Sequence, residues 1–148
     1  MALHAFAYVS TAREGLDVPD LDALLADATT FNRMAGVTGV LMFDGSRFLQ
    51  YIEGPRDGVE SVHARILNAR RHGSVSELAA GGLQARWFPR WTMANRMIEP
   101  AALDSIVAAP WRGFDNAAVS SGEGFALLLQ AWTGGDGELE PAAVCLGS

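Results

Sequence analysis

The stretch VTGVLMFDGSRFLQYIEGP, Val37 to Pro55, decides the fold. Val37 to Phe43 is a short run rich in apolar residues, suited to a strand. Asp44-Gly45 follows, a dipeptide favoured by two-residue hairpins because both central positions need positive φ. Ser46 to Glu53 then returns as the partner strand. On it Phe48, Gln50 and Ile52 share one face, and Leu49, Tyr51 and Glu53 the other. Gly54-Pro55 ends the hairpin and opens a helix with Val59, Val62, His63 and Ile66 on one side.

Upstream, Leu3 to Ser10 reads as a first strand, with Phe6, Tyr8 and Ser10 on one face and Ala5, Ala7 and Val9 on the other. Asp17-Val18-Pro19-Asp20 has the acidic residue and first-turn proline of a helix start. Leu21, Leu24, Leu25, Ala28 and Ala35 follow at helical spacing, and Gly36 suits the residue just past the helix end. Downstream, Arg70 to Gly73 reads as a loop. Val75 to Arg86 reads as a fourth strand, with a bulge or bend expected at Gly81-Gly82. Trp87 to Met93 reads as a fifth. The order β-α-β-β-α-β-β predicts an α+β fold of the ferredoxin-like kind, a sheet with two helices on one face.

The character changes after residue 95. A short helix is expected from Glu99 to Ala108, a loop from Gly113 to Gly124, and a further helix from Glu123 to Thr133. The tail from Gly134 reads as flexible. Residues 1–95 therefore form one domain, and residues 96–148 a helical C-terminal extension.

Composition narrows the function. The net charge of −6 opposes a nucleic-acid partner, which needs a basic stripe. Cys145 is the lone cysteine, so no internal disulfide and no cysteine-based zinc site is expected. With no signal peptide and no membrane-length apolar run in view, the expected location is the cytoplasm.

Several residues sit badly in a plain core. Asn32 lies seven and eight positions beyond Leu25 and Leu24, so it faces the sheet with them, where an amide needs partners. It also suits closure of the last helical turn. Gln50, between Phe48 and Ile52, either lies at a solvated edge or reads a buried polar ligand, since an amide both donates and accepts. Tyr8 beside Phe6 needs a partner for its hydroxyl if buried. Arg71-His72 in a loop is either solvated or a donor set for carbonyl or phosphate oxygens. Trp91 and Met93 share a strand face, ordinarily a matter of packing.

Taken together these residues resemble the BLUF family. The matching pieces are Tyr8-Val9-Ser10, Asn32, Val37-Thr38-Gly39, Phe48-Leu49-Gln50-Tyr51-Ile52-Glu53-Gly54-Pro55, Arg71-His72 and Phe88-Pro89-Arg90-Trp91-Thr92-Met93. They stand in family order across residues 1 to 95. Thr92 replaces a frequent Ser, and Ala69-Arg70 departs from the usual lead-in to Arg-His. The resemblance implies a non-enzymatic blue-light photoreceptor holding a flavin between its two helices, with FAD expected and FMN the alternative. It implies Tyr8 as electron donor, Gln50 between the Tyr8 hydroxyl and the flavin N5/C4=O edge, and Asn32 near the C4 carbonyl. Arg71 and His72 would line the C2=O edge. Trp91, Met93 and Ser10 would relay the signal.

Two rivals use the same fold. An RNA-binding sheet is opposed by the acidic charge and lacks the Gly-aromatic pattern of such modules. A small acyl-phosphate hydrolase lacks a glycine-rich phosphate cradle near Asn32 or Arg71. A flavin–thiol adduct sensor is disfavoured because Cys145 lies in the tail. With no fused output domain expected, the signal would pass to a separate protein or change the chain's own assembly. A homo-oligomer is expected as well, because the sheet face away from the helices is apolar and needs cover, though the C-terminal helices are an alternative cover.

Overall fold

The computed structural model of the chain describes residues 3–12, 18–68, 72–90 and 94–134. The elements are β1 (Leu3–Ala12), α1 (Val18–Ala35), β2 (Thr38–Phe43), β3 (Arg47–Pro55), α2 (Arg56–Asn68), β4 (His72–Leu83), β5 (Ala94–Met97), α3 (Pro100–Ala108), α4 (Asn116–Ser120) and α5 (Gly124–Gly134). The strands lie in the order β4-β1-β3-β2-β5. All neighbours are antiparallel except β2 and β5, which run parallel. This is the ferredoxin-like α+β arrangement that the element order predicts.

Period-two alternation divides the core between the two faces. Phe6, Tyr8, Leu41, Phe48 and Ile52 pack with Val59, Val62 and Ile66 of α2 and with Leu25, Ala28 and Phe31 of α1. Ala5, Ala7, Val40, Met42, Leu49 and Tyr51 form the opposite face, under Leu103 and Ile106 of α3 and Phe125, Leu128 and Trp132 of α5. Each of the larger apolar side chains contributes about 1.5–3 kcal/mol by leaving water. The C-terminal helices thus cover the apolar face whose exposure suggested a second copy of the chain, so covering it needs no oligomer.

α1 ends where expected. Gly36 has φ +74°, and the N–H groups of Gly36 and Val37 donate to the carbonyls of Arg33 (3.2 Å) and Asn32 (2.8 Å). This paired closure satisfies carbonyls the helix would leave bare.

The hairpin turn lies one residue later than its sequence suggests. Asp44 N–H donates to the Arg47 carbonyl at 3.2 Å, so Gly45-Ser46 form the tip, and Gly45 alone takes a positive φ, +104°. At the flanking position the Asp44 carboxylate accepts from Ser46 N–H (2.9 Å), Arg47 N–H (2.7 Å) and the Arg47 guanidinium (3.0 and 2.8 Å). Burial works to raise this carboxyl, but these bonds outweigh it and hold it below the ordinary aspartate value of 3.8. A depressed folded-state value contributes stability above pH 3.8 that is lost as pH falls through it. Asp44→Asn is therefore expected to be less stable at neutral pH and to lose less stability between pH 5 and pH 3. Denaturant melts at those pH values measure both effects.

Three further expectations are corrected. Gly81 and Gly82 pair regularly with Ala5 and His4; the register shifts fall instead between Ala7 and Tyr8, opposite Ala79 and Glu77, and between Ser10 and Ala12. The segment Trp87 to Arg90 is bend and turn, and the fifth strand is Ala94–Met97. The reason is a long-range contact: Trp87 and Phe88 give their N–H groups to the Glu53 carboxylate rather than to a ladder. Finally, the loop expected from Gly113 to Gly124 contains α4, whose first turn is capped by Asp115 accepting from Ala118 N–H at 2.9 Å.

Candidate functional site

Tyr8 and Gln50 face each other directly across the β1–β3 ladder, so the pleat sends both side chains to the face beneath α1 and α2. There the Tyr8 hydroxyl donates to Gln50 Oε1. Both residues are buried, as is Asn32, which lies on α1 one turn before the Gly36 closure. Ser10 is buried further along β1, opposite Phe48 on one side and Val75 on the other.

The surroundings are apolar and aromatic. Phe6 stacks on Tyr8 with ring centroids 5.6 Å apart and meets the His63 ring at 4.1 Å. Phe43 stacks on Phe48 at 4.7 Å. Burial pushes the Tyr8 phenol far above the ordinary tyrosine value, with the Arg65 charge acting the other way. Tyr8 is thus a neutral hydrogen-bond donor at any physiological pH. It does not lose its proton thermally; oxidation, which makes a phenol strongly acidic, is what would release it.

Arg65 is the residue the sequence reading missed. Its guanidinium lies 5.0 Å from the centroid of the Phe31 ring, so it bridges α2 to α1 while its charge reaches Tyr8. The available signal was its position between Val62 and Ile66, at the rim of the apolar helix face. Of the other expected residues, His72 begins β4 opposite Ala12, with its side chain outside the described residues. Arg71, Trp91 and Met93 also lie outside them.

This donor set suits a flat heterocycle. A phenol, two carboxamides and the Ser10 hydroxyl are buried beneath two helices on an otherwise largely apolar face. Carboxamides both donate to ring carbonyls and accept from a ring N–H, which is the edge chemistry of an isoalloxazine. The aromatic and aliphatic side chains suit its planar body. Among the described residues no cluster of three or more His, Cys, Asp or Glu could hold a metal ion. No described helix is long and apolar enough to cross a membrane.

Comparison with known proteins agrees with this chemistry. The family described as sensors of blue-light using FAD matches residues 3–94. Photoactivated adenylate cyclase subunit beta of Euglena gracilis is 33% identical over 101 residues, 68% of this chain but only 12% of that protein's length. The dark-state structure of BlrB, a BLUF protein, is similar with a TM-score of 0.61 at 28% identity, covering 71% of this chain and 78% of that one. The ground-state structure of BlsA covers 95% of this chain and 94% of its own, with a TM-score of 0.70 at 20% identity, so the shared fold extends through the C-terminal helices. The chain belongs to the BLUF family of blue-light sensors that use FAD.

Proposed function

We propose that this chain is a light switch in which Tyr8 and Gln50 rearrange the hydrogen bonds around a bound flavin. The observation that carries the reading is the buried bond from the Tyr8 hydroxyl to Gln50 Oε1. FAD, when bound, supplies the chromophore and, on blue excitation, the oxidant. Tyr8 gives an electron, and its phenolic proton passes to the Gln50 carboxamide. Both return on recombination, and Gln50 is left rotated or tautomerised, presenting a different donor to the ring edge. Asn32 holds the carbonyl region of the ring. Arg65, set over the Phe31 ring, brings its charge toward Tyr8, and Arg71 and His72 serve the other edge. No substrate is turned over, so the chain acts as a sensor and not as an enzyme.

Residues 1–95 act as the flavin-binding unit, and residues 96–148 carry the output. A small amide rearrangement becomes a signal only by biasing packing that has two arrangements. Trp91, Met93 and Ser10 are the proposed relay toward β5 and the C-terminal helices. The receiver is a separate cytoplasmic protein or a second copy of the chain. In the Euglena relative, as its name says, light controls an adenylate cyclase.

The test is a visible spectrum of the FAD-loaded protein before and after blue illumination. A red-shifted flavin band that recovers in darkness is expected. A band indifferent to light would overturn the reading.

A further inference from the structure

Glu53 is fully buried on β3, three positions beyond Gln50, and alternation places it on the opposite face of the sheet. Its Oε1 accepts from Trp87 N–H at 2.8 Å and from the Tyr51 hydroxyl at 2.6 Å. Its Oε2 accepts from Phe88 N–H at 2.5 Å and from the Thr38 hydroxyl at 3.5 Å. Arg86, the residue before this turn, donates to Thr38 Oγ1 and to the Gly36 carbonyl, both at 2.8 Å. The Trp87 indole N–H donates to the Phe114 carbonyl, also at 2.8 Å. One network therefore joins the end of α1, the starts of β2 and the turn before β5, and the cover beneath α4.

A buried carboxylate is a poor way to gain stability, because its desolvation commonly cancels its attractions. What a carboxylate supplies here is two acceptor oxygens for two successive backbone N–H groups. Neither an apolar side chain nor a glutamine offers that. Burial holds the Glu53 carboxyl above the ordinary glutamate range, and Tyr51, the two N–H groups and Arg86 oppose that rise without cancelling it.

We propose that Glu53 is the positioning residue that couples the Gln50 side of β3 to the turn at Trp87-Phe88. A rearrangement at Gln50 shifts β3, re-shares the four bonds to Glu53, and so changes the turn at Trp87-Phe88 that precedes β5. The proposal rests on the light-driven rearrangement at Gln50, but the clamp itself exists in the dark.

The test uses FAD-loaded protein and Glu53→Gln. In the dark, amide hydrogen exchange at Trp87 and Phe88 is expected to rise about tenfold or more, since one amide N–H₂ would face a backbone donor. Under blue light the flavin red shift is expected to persist, while the light-induced exchange change across residues 94–134 is lost. Unchanged dark exchange at Trp87 and Phe88 sinks the clamp, whatever light does. An unchanged light response across 94–134 sinks the coupling. If the parent shows no red shift, the receptor reading falls, and the dark arm still judges the clamp.

A second measurement needs no folded Glu53→Gln. In protein carrying ¹³C-labelled glutamate, the light-minus-dark infrared spectrum is expected to contain a glutamate carboxylate band. Tyr51→Phe, which removes one donor to Glu53, should move that band, and Glu123→Gln, at the other buried glutamate among the described residues, should not. A difference spectrum without any glutamate band overturns the coupling.

Discussion

Tyr8→Phe is expected to bind FAD and show no red-shifted state under blue light. The substitution removes one oxygen from a fully buried ring and leaves its packing against Phe6 in place. What disappears is the readily oxidised phenol and the proton it donates to Gln50 Oε1. A phenyl ring has no acidic proton and is much harder to oxidise, so the loss should be complete and not partial. Stability should fall by about 1–3 kcal/mol, because the carboxamide oxygen keeps its burial and loses a donor. The chain has two tyrosines, which makes Tyr51→Phe a clean control. Tyr51 lies on the opposite face and donates to Glu53, so its removal should leave the red shift intact. Illuminating both variants and recording the flavin band decides the matter; a normal shift in Tyr8→Phe removes Tyr8 as donor.

Gly58→Ala is expected to destabilise the protein and to weaken FAD binding together. Propensity alone argues the opposite, since alanine in a helix is favoured over glycine by up to about 1 kcal/mol. Geometry overrules it. A Cβ at Gly58 would lie 2.2 Å from the Ala35 carbonyl oxygen, a backbone atom at the end of α1 that no side-chain rotation can move. The two helices must part, at a typical overpacking cost of about 1–3 kcal/mol. The displaced end of α1 is the segment that holds Asn32, so the flavin site should loosen with the fold. Thermal melts with and without FAD, and a titration of apoprotein with FAD, test both halves. A stabilised Gly58→Ala variant with parental flavin affinity would show that the helix contact is softer than it looks.

The sequence shows most of this site because the site is built from alternation. Tyr8 and Gln50 face the same way because both strands are buried on both faces and keep period two without interruption. The end of α1 was legible because only glycine enters the left-handed region easily, and Gly36 stands where the apolar spacing stops. The fifth strand was misread for the converse reason. Trp87 and Phe88 look like strand residues by composition, but their N–H groups go to a carboxylate far upstream in the chain, and no local pattern reports that partner. Arg65 is not legible in the sequence because a cation at the rim of a helix face is ordinarily solvated. Its place over Phe31 depends on how α1 and α2 come together. The hairpin tip shifted because an aspartate gains more as a flanking acceptor than as a left-handed turn residue. α4, five residues long, is too short to show a period.

The edge strand β4 has a consequence for synthesis. It pairs with β1, so that Leu3 meets Leu83 and the first strand made is flanked on its outer side by one of the last. On the ribosome the β2–β3 hairpin can close early, and β1 can join it soon after. From then until β4 emerges, the outer edge of β1 stays bare, a template for another nascent chain. Clones truncated before Leu83 should therefore accumulate in inclusion bodies rather than as soluble fragments.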